Sequence, residues 1–163
     1  MTTRVLGIDP GTAVTGYGVV EPANGRPGRL VECGVIRTSS REKMWQRLDS
    51  LYQGVTELIE RHRPDALAVE SIFYGKNVRT TVVLGQARGV ILLAGAQAGI
   101  DIMEIPPAQV KQSIVGAGGA AKAQVGYMVQ QILRLATPPA PHDAADGVAV
   151  ALTYLIRRGK RLR

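Results

Sequence analysis

The stretch Val5-Leu6-Gly7-Ile8-Asp9-Pro10-Gly11-Thr12 decides the fold prediction for this chain. An apolar segment leads directly into one carboxylate, and a Pro-Gly turn follows at once. A nearly continuous apolar run is typical of a central strand covered on both faces. A carboxylate at the end of such a strand is costly to desolvate unless a partner compensates it, and a bound cation is a common partner. The stretch therefore predicts a buried strand that ends in a cation-binding acid.

Further acids repeat this arrangement at two other places in the chain. Glu70 ends the apolar run 66–70, and Asp143 and Asp146 stand three residues apart near the C-terminus, a spacing that puts both on one side of a helix. Helix capping would explain Asp143 but not Asp146, so we favour metal binding for the group. Folding is expected to assemble one metal site from Asp9, Glu70, Asp143 and Asp146.

The donor types of this acidic group indicate which metal it binds. Oxygen ligands select hard cations, so we expect Mg²⁺, with Mn²⁺ as a substitute, rather than zinc. Neither His62 nor His142 has a partner at a zinc-ligand spacing. Two ions about 4 Å apart could activate a water and stabilise the leaving oxygen in phosphodiester hydrolysis.

Composition and charge indicate the partner class. The chain has 163 residues, a formal net charge of +7 and a pI near 10.0, which favours a polyanion, with nucleic acid ahead of an acidic membrane surface. We expect residues 1–163 to form a single domain with a short basic C-terminal tail. No secretory segment begins the chain, and no apolar run is expected to reach the length of a membrane span, so the prediction is a cytoplasmic protein without a membrane partner.

The apolar pattern predicts an α/β fold with a five-stranded mixed sheet and helices on both faces. The expected strands cover residues 4–9, 14–20, 30–37, 66–70 and 101–105. Ser39 and Glu42 predict a capping box for a first helix that ends near His62, which should lie at the surface. Trp45 is expected to anchor this helix to the sheet. Later helices are expected at about 77–98, from about Val125 to Leu133, and at about 141–158.

Several motifs, taken together, resemble the RuvC-type Holliday junction resolvases. The first is Gly7-Ile8-Asp9-Pro10-Gly11-Thr12 with Thr15-Gly16-Tyr17-Gly18-Val19. The central block is Glu70-Ser71-Ile72-Phe73, Lys76-Asn77 and Leu84-Gly85-Gln86-Ala87-Arg88-Gly89-Val90. Gln109-Val110-Lys111-Gln112, a Gly-rich stretch at 116–121, Lys122 with Gln124-Val125, and Asp143-Ala144-Ala145-Asp146 complete the order. The resemblance covers essentially the whole chain.

The resemblance implies a ribonuclease H-like homodimer that nicks two strands of a four-way DNA junction symmetrically with Mg²⁺. By position, Asp9, Glu70, Asp143 and Asp146 match the family's catalytic acids. Basic residues near the active site are matched by Lys111 and Lys122, and Lys76 falls in the central block as a further DNA contact. Phe73 matches an aromatic residue that contacts an unpaired base, although core packing is the usual place of a Phe.

The resemblance also implies a branch-migration partner, the RuvA–RuvB complex. His142 is a possible accessory residue, because some family members use a His near this point. The sequence leaves open which of His142 and Asp143 is the metal ligand in the last helix.

Other functions are compatible with parts of the pattern. A sugar kinase or actin-like ATPase also binds ATP phosphates at an Asp-x-Gly-Thr turn, but that fold needs two such domains. A related ribonuclease H-like nuclease that acts on structured RNA is the main alternative, and the long central block and the Gly-rich stretch argue against it. A non-catalytic DNA-binding module would have no use for four converging acids.

Overall fold

Five strands form one mixed sheet in a computed structural model that describes residues 3–71 and 75–161. They are β1 (Val5–Asp9), β2 (Val14–Ala23), β3 (Arg26–Arg37), β4 (Ala66–Glu70) and β5 (Asp101–Ile105). Their order is β3-β2-β1-β4-β5. The β1–β2 and β2–β3 pairs are antiparallel, whereas β1–β4 and β4–β5 are parallel.

Helices cover both faces of this sheet. They are α1 (Met44–His62), α2 (Val78–Ala98), α3 (Pro107–Val115), α4 (Lys122–Leu133) and α5 (His142–Arg161). One core cluster joins α1 and α2 to the sheet through residues such as Leu6 and Ile8, and the other joins α3, α4 and α5 through residues such as Val5 and Ala68. The five-stranded mixed sheet with helices on both faces is therefore as predicted.

The strand directions bring four strand ends to one edge of the sheet. Because β3 and β1 are both antiparallel to β2, β3 runs in the same direction as β1, β4 and β5. We call the edge where these four strands end the carboxyl edge. It carries Arg37, Asp9, Glu70 and Ile105 as the last strand residues.

Local capping differs from the sequence prediction at α1. The capping box of Ser39 and Glu42 is wrong, because these residues form a turn in which the Glu42 N–H donates to the Ser39 carbonyl at 3.1 Å. The helix begins at Met44 after the N-cap Lys43, whose N–H donates to Gln46 Oε1 at 3.0 Å. A Gln at the third helical position satisfies the free N–H as well as a Glu would.

Two expectations for α1 side chains are also wrong. His62 is buried, with 8% of its surface exposed, because its Nε2 lies 3.0 Å from Glu32 Oε2 on the neighbouring β3. Trp45 is 65% exposed and does not anchor the helix. The α1 positions that do reach the sheet are one or more turns further on, at Leu51, Val55 and Leu58.

Helix α2 has a strongly apolar sequence. By length and composition alone it could cross a membrane, since its most apolar window has a mean hydropathy of 1.2 and is 22% buried. The helix passes this test by length and composition only, and core helices of other proteins pass it as well. Ala87, Ile91 and Ala94 pack into the core on the side facing α1 and the sheet. Much of its remaining apolar surface is exposed.

Candidate active site

Two acids stand side by side where β1 and β4 reach the carboxyl edge. Strand alternation directs Val5, Gly7 and Asp9 towards α5 and directs Leu6 and Ile8 towards α1 and α2. Ile8 pairs with Val69 in the parallel β1–β4 ladder, so Asp9 and Glu70 are the next residues on the two strands. Both carboxylates therefore leave the sheet at the same edge and on the same face.

Close backbone packing brings the third and fourth acids to this edge. A Cβ at Gly16 would lie 1.7 Å from the Asp143 carbonyl oxygen, and one at Gly147 would lie 2.5 Å from Tyr17 Cα. The Cβ of a residue at Gly7 or Gly18 would likewise fall within 3.0 Å of α5 backbone atoms. We call Gly7, Gly16, Gly18 and Gly147 the glycine contact. Because Gly16 is the register partner of Asp9, this contact places the first turns of α5 beside Asp9.

The assembled groups surround a cavity of about 300 Å³ that we call the acidic cavity. Its polar lining comes from three acids and two lysines, namely Asp9, Glu70, Asp146, Lys111 and Lys122. Its apolar lining comes from α3, α4 and α5, namely Pro107, Val110, Val125 and Ala149. The mixture places buried charge beside surfaces that exclude water.

Lys122 provides the positive charge closest to the acids of α5. Its Nζ lies 2.9 Å from Asp146 Oδ2 and 3.6 Å from Asp143 Oδ1. The Asp146 side chain is 12% exposed, the Asp143 side chain 39% and the Lys122 side chain 63%. Contact with Asp146 raises the pKa of Lys122, so this ammonium stays charged.

Burial and mutual repulsion raise the pKa values of the acids that line the cavity. Burial is the main cause for Asp9, followed by the charges of Glu70 and Asp146, and the pKa of Asp9 reaches about 8. Burial and the charge of Asp146 raise the pKa of Glu70 to about 7, although Lys111 and Lys122 oppose the change. The pKa of Asp146 is also raised by burial, against the opposing effect of Lys122. Near neutral pH these acids cannot all ionise without an added positive charge.

The need for added positive charge among these acids is one that a hard cation can meet. Asp146 Oδ2 is fully buried, and although Lys122 Nζ lies 2.9 Å away, no well-aligned hydrogen bond reaches this oxygen from the described residues. Carboxylate oxygens are the donors that Mg²⁺ and Mn²⁺ prefer. Within residues 3–71 and 75–161, however, no three acidic, histidine or cysteine side chains already surround one point at metal-ligand distances. The residues present fit a metal, and their side chains would have to close around it.

The structure places the predicted site residues in different positions. Asp9, Glu70, Asp146, Lys111 and Lys122 line the acidic cavity, and Asp143 joins them through Lys122. His142 lines a separate cavity of about 370 Å³ with Tyr127 and a Pro-rich loop. Lys76 is exposed just before α2. Phe73 lies outside the described residues.

Sequence reasoning missed the residues that position the acids. The glycine contact is one such group. Its signal was available, because Gly16 and Gly18 alternate on one face of β2 and can admit a close helix backbone. Arg47 was also missed: its guanidinium donates to the Thr12 carbonyl, and its Nε donates to Thr38 Oγ1 at 3.3 Å, which ties the loop after β1 to the loop after β3.

Comparisons with known proteins give one consistent result. The family model described as crossover junction endodeoxyribonuclease RuvC matches residues 5–154. Crossover junction endodeoxyribonuclease RuvC of Pelotomaculum thermopropionicum is 53% identical over 150 residues, which cover 92% of this chain and 91% of that protein. The Roseiflexus sp. protein of the same name is 53% identical over 152 residues, covering 93% and 90% of the two chains.

A solved structure has the same fold. Thermus thermophilus RuvC in complex with a Holliday junction substrate is 36% identical and superposes with a TM-score of 0.91, covering 98% of this chain and 96% of that one. The ribonuclease H-like α/β fold predicted from the motifs is confirmed by this likeness.

Proposed function

Because this chain belongs to the RuvC family of crossover junction endodeoxyribonucleases, we propose that it resolves four-way DNA junctions by hydrolysing phosphodiesters at the acidic cavity. The family resemblance read from the sequence is confirmed, and the chain is accordingly a nuclease that acts in DNA recombination and repair. The observation that carries the proposal is the group of buried carboxylates with raised pKa values beside two lysines in one cavity. Such groups are typical of sites that bind a metal and a polyanion.

In this proposal Asp9, Glu70, Asp143 and Asp146 hold two Mg²⁺ ions, with Mn²⁺ as a substitute. When bound, the ions would activate the attacking water and stabilise the leaving oxygen of the scissile phosphate. Asp9 is fixed by the central strand and is repelled by all three other acids, so it is the acid whose charge a bound metal would compensate most.

The lysines act on the substrate. Lys111 and Lys122 line the same cavity as the acids, so each can hold a non-bridging oxygen of the scissile phosphate. Lys122 contacts Asp146 in this structure, and a bound metal that compensated Asp146 would leave the Lys122 ammonium available to the phosphate. Lys76 and Phe73 are proposed as DNA contacts at the junction centre.

We propose that the active unit is a homodimer formed through α2. Val78, Val82 and Leu93 are 75%, 54% and 48% exposed. Nothing lies within 4 Å of a Cβ at Gly85 or Gly89. These five residues recur every three or four positions, so they form one apolar stripe on α2. Two symmetric nicks need two identical sites, and a two-fold dimer is the simplest arrangement that provides them.

The remaining expectations follow from this assignment. We propose that residues 1–163 work as one nuclease domain with a basic C-terminal tail, that the reaction takes place in the cytoplasm, and that a RuvA–RuvB branch-migration complex delivers the junction.

The experiment that tests the proposed function compares three substrates. Purified protein with Mg²⁺ is incubated with a four-way junction, a linear duplex of the same sequence and a structured RNA. We expect paired nicks in the junction and little cutting of the other two. Preferred cutting of the RNA would instead support the alternative nuclease, and loss of junction cutting in EDTA with recovery in Mg²⁺ is the accompanying metal control.

A further inference from the structure

The loop between β3 and α1 continues the carboxyl edge beyond the acidic cavity. It begins at Arg37, the last residue of β3, and leads to Trp45 in the first turn of α1. Arg37, Arg41, Lys43 and Trp45 are all exposed, and we call these four residues the Trp45 surface. None of the roles proposed above uses them.

Positive charge dominates this surface. Among the residues that the structure describes, Arg37, Arg41 and Lys43 form no ion pair. Glu42 is the acid that stands between them in the sequence, and Asp49 follows one helical turn after Trp45, where it accepts from Gln53 Nε2 at 2.9 Å. Exposed basic groups with few acidic partners attract a polyanion.

Trp45 adds an aromatic face to this charge. It is the one Trp of the chain and is 65% exposed. Single exposed apolar residues are ordinary, but an indole among unpaired basic side chains matches a known mode of nucleic-acid binding, in which phosphates meet cations and a base or sugar meets an aromatic ring.

The surface is held in a fixed relation to the cavity. The two Arg47 hydrogen bonds join Thr12 to Thr38, and the Thr38 N–H donates to the Ala13 carbonyl at 2.9 Å. Thr12 and Ala13 belong to the turn that follows Asp9. Strands are spaced about 4.8 Å apart, so β3 lies about 10 Å from β1, or about three base steps along a DNA strand. The loop and the acidic cavity therefore share one edge of the sheet, so one bound DNA arm can contact both.

We propose that the Trp45 surface binds the DNA arm that leaves the cleavage site. Arg41 and Lys43 contact its phosphates, and Trp45 stacks on a base or packs on a sugar. Arg37, at the end of β3, adds positive charge to the same surface. This inference rests on the proposed function and adds a second contact region to it. A second copy of the chain is a poorer occupant, because a two-fold contact here would bring Arg37, Arg41 and Lys43 of the two copies together.

The first test uses Trp45 as its own reporter. Because the chain has one Trp, its fluorescence reports on this surface alone. The full-length protein is titrated in EDTA with a four-way junction and with a linear duplex. We expect the emission to be quenched by both DNAs and restored by high salt. An emission that neither DNA changes would overturn the inference. Junction cutting is assayed separately and decides the proposed function, so the two can fail independently.

The second test removes the contacts. Trp45→Ala should weaken DNA binding about fivefold or more, because fivefold is the lower end of the loss expected when one stacked base loses its aromatic partner. Trp45→Phe should largely restore the affinity. Arg41→Gln/Lys43→Gln should reduce the slope of log K against log salt by about 1.8, since each phosphate contact contributes about 0.9. All three side chains are exposed, so the variants should keep the wild-type melting temperature.

The matched control is Arg63→Gln/Arg134→Gln. It removes the same charge at two exposed residues near the opposite edge of the sheet, where α1 and α4 end with positive φ values of 45° and 55°. We expect its salt slope to equal that of the wild type. Equal slopes for both double variants would overturn the inference. So would Trp45→Ala converting a dimer to a monomer with unchanged DNA affinity, because the surface would then join two copies.

Discussion

Asp9 illustrates how the fold buries a single carboxyl group where ionisation is unfavourable. Its strand is buried on both faces, and three other acids repel its carboxylate, so the folded protein keeps a proton that the unfolded chain would release. A metal would replace that proton. The chemistry proposed for the site and the pH dependence of folding therefore depend on the same group.

We expect Asp9→Asn to abolish junction cutting while leaving junction binding within about threefold of the wild type. The carboxylate would help to hold the metal on which cutting depends, whereas affinity comes mainly from Lys and Arg contacts to phosphates. Single-turnover cleavage and binding in Ca²⁺ or EDTA measure the two properties. Normal cutting, or loss of cutting together with a lower melting temperature, would contradict this role.

Without metal, the melting temperature should fall as pH rises from 5 to 9. Unfolded Asp9 releases its proton near 3.8, but the folded residue keeps it up to about 8. The folded state thus binds more protons in this window, and the free energy of unfolding decreases with increasing pH. We expect a fall of about 5 °C or more, since 1 kcal/mol corresponds to about 2–4 °C.

Two comparisons sharpen this pH measurement. Asp9→Asn should flatten the profile, leaving the smaller slope from Glu70, whose pKa is raised from 4.5 to about 7. Mg²⁺ should raise the melting temperature more at high pH than at low pH, because ionised acids bind it. A flat profile in EDTA would show that Asp9 is not buried in the manner described.

In the last helix we expect Asp143 to matter more than His142, and Asp146 to be indispensable. Asp143 lies 3.6 Å from Lys122 at the acidic cavity, whereas His142 lines the other cavity. A carboxylate also suits Mg²⁺ better than an imidazole does. The measurement is single-turnover cleavage by Asp143→Asn, Asp146→Asn and His142→Ala in Mg²⁺ and in Mn²⁺. A His142 variant that is inactive in both metals, with an active Asp143 variant, would reverse the assignment.

At the scale of elements, the sequence predicted the strands better than the helix ends. The runs of β1 and β4 were recognised because they are short and almost wholly apolar. The helix α3 was not predicted, because its nine residues stand between a Pro pair and a Gly-rich stretch and show little apolar periodicity. Asn77 was placed correctly at the start of α2, where its side chain accepts from the Thr80 N–H at 3.2 Å.

The site was predictable in part for a similar physical reason. A buried acid at the end of an apolar strand is visible in the sequence, so Asp9 and Glu70 stand out. Gly16 and Gly18 show that β2 can admit a close helix, but the sequence does not show which helix packs there, because the contact depends on four glycines from three elements. Likewise, no local pattern distinguishes the lysine that lines the cavity from one that faces solvent. For Lys111 and Lys122, only the family resemblance pointed to the site.

Gly147→Ala should destabilise the protein although Ala favours a helix by about 1 kcal/mol. Its Cβ would meet the Tyr17 backbone at 2.5 Å, so α5 must move away from β2 and carry Asp146 from Asp9. We expect a loss of about 1–3 kcal/mol and reduced cutting. Thermal unfolding is measured beside Gly159→Ala, a control in the same helix with nothing within 4 Å, which should be neutral or stabilising. Equal behaviour of both variants would refute the close contact.

At the scale of the whole molecule, the α2 stripe predicts the assembly. Val82→Glu should convert a two-fold dimer into a monomer, because the charge would be buried between two copies. Sedimentation velocity measures this, and coordinated nicking should become single nicking. Thr80→Glu is the control, since it lies on the opposite side of α2 and is exposed. If Val82→Glu sediments as the wild type does, the apolar stripe is not the interface.

The glycine contact has a consequence for how this protein tolerates mutation. At Gly7, Gly16, Gly18 and Gly147, a Cβ would fall within 3.0 Å of backbone atoms, so no larger residue fits without moving α5. Saturation mutagenesis with selection for activity should therefore find these positions as intolerant as the acids, although none of them contacts the substrate in the proposed mechanism. Single substitutions that change which DNA the protein cuts are therefore expected in the loops of the carboxyl edge. Substitutions at the four glycines would displace α5 and so inactivate the protein before they could change its substrate.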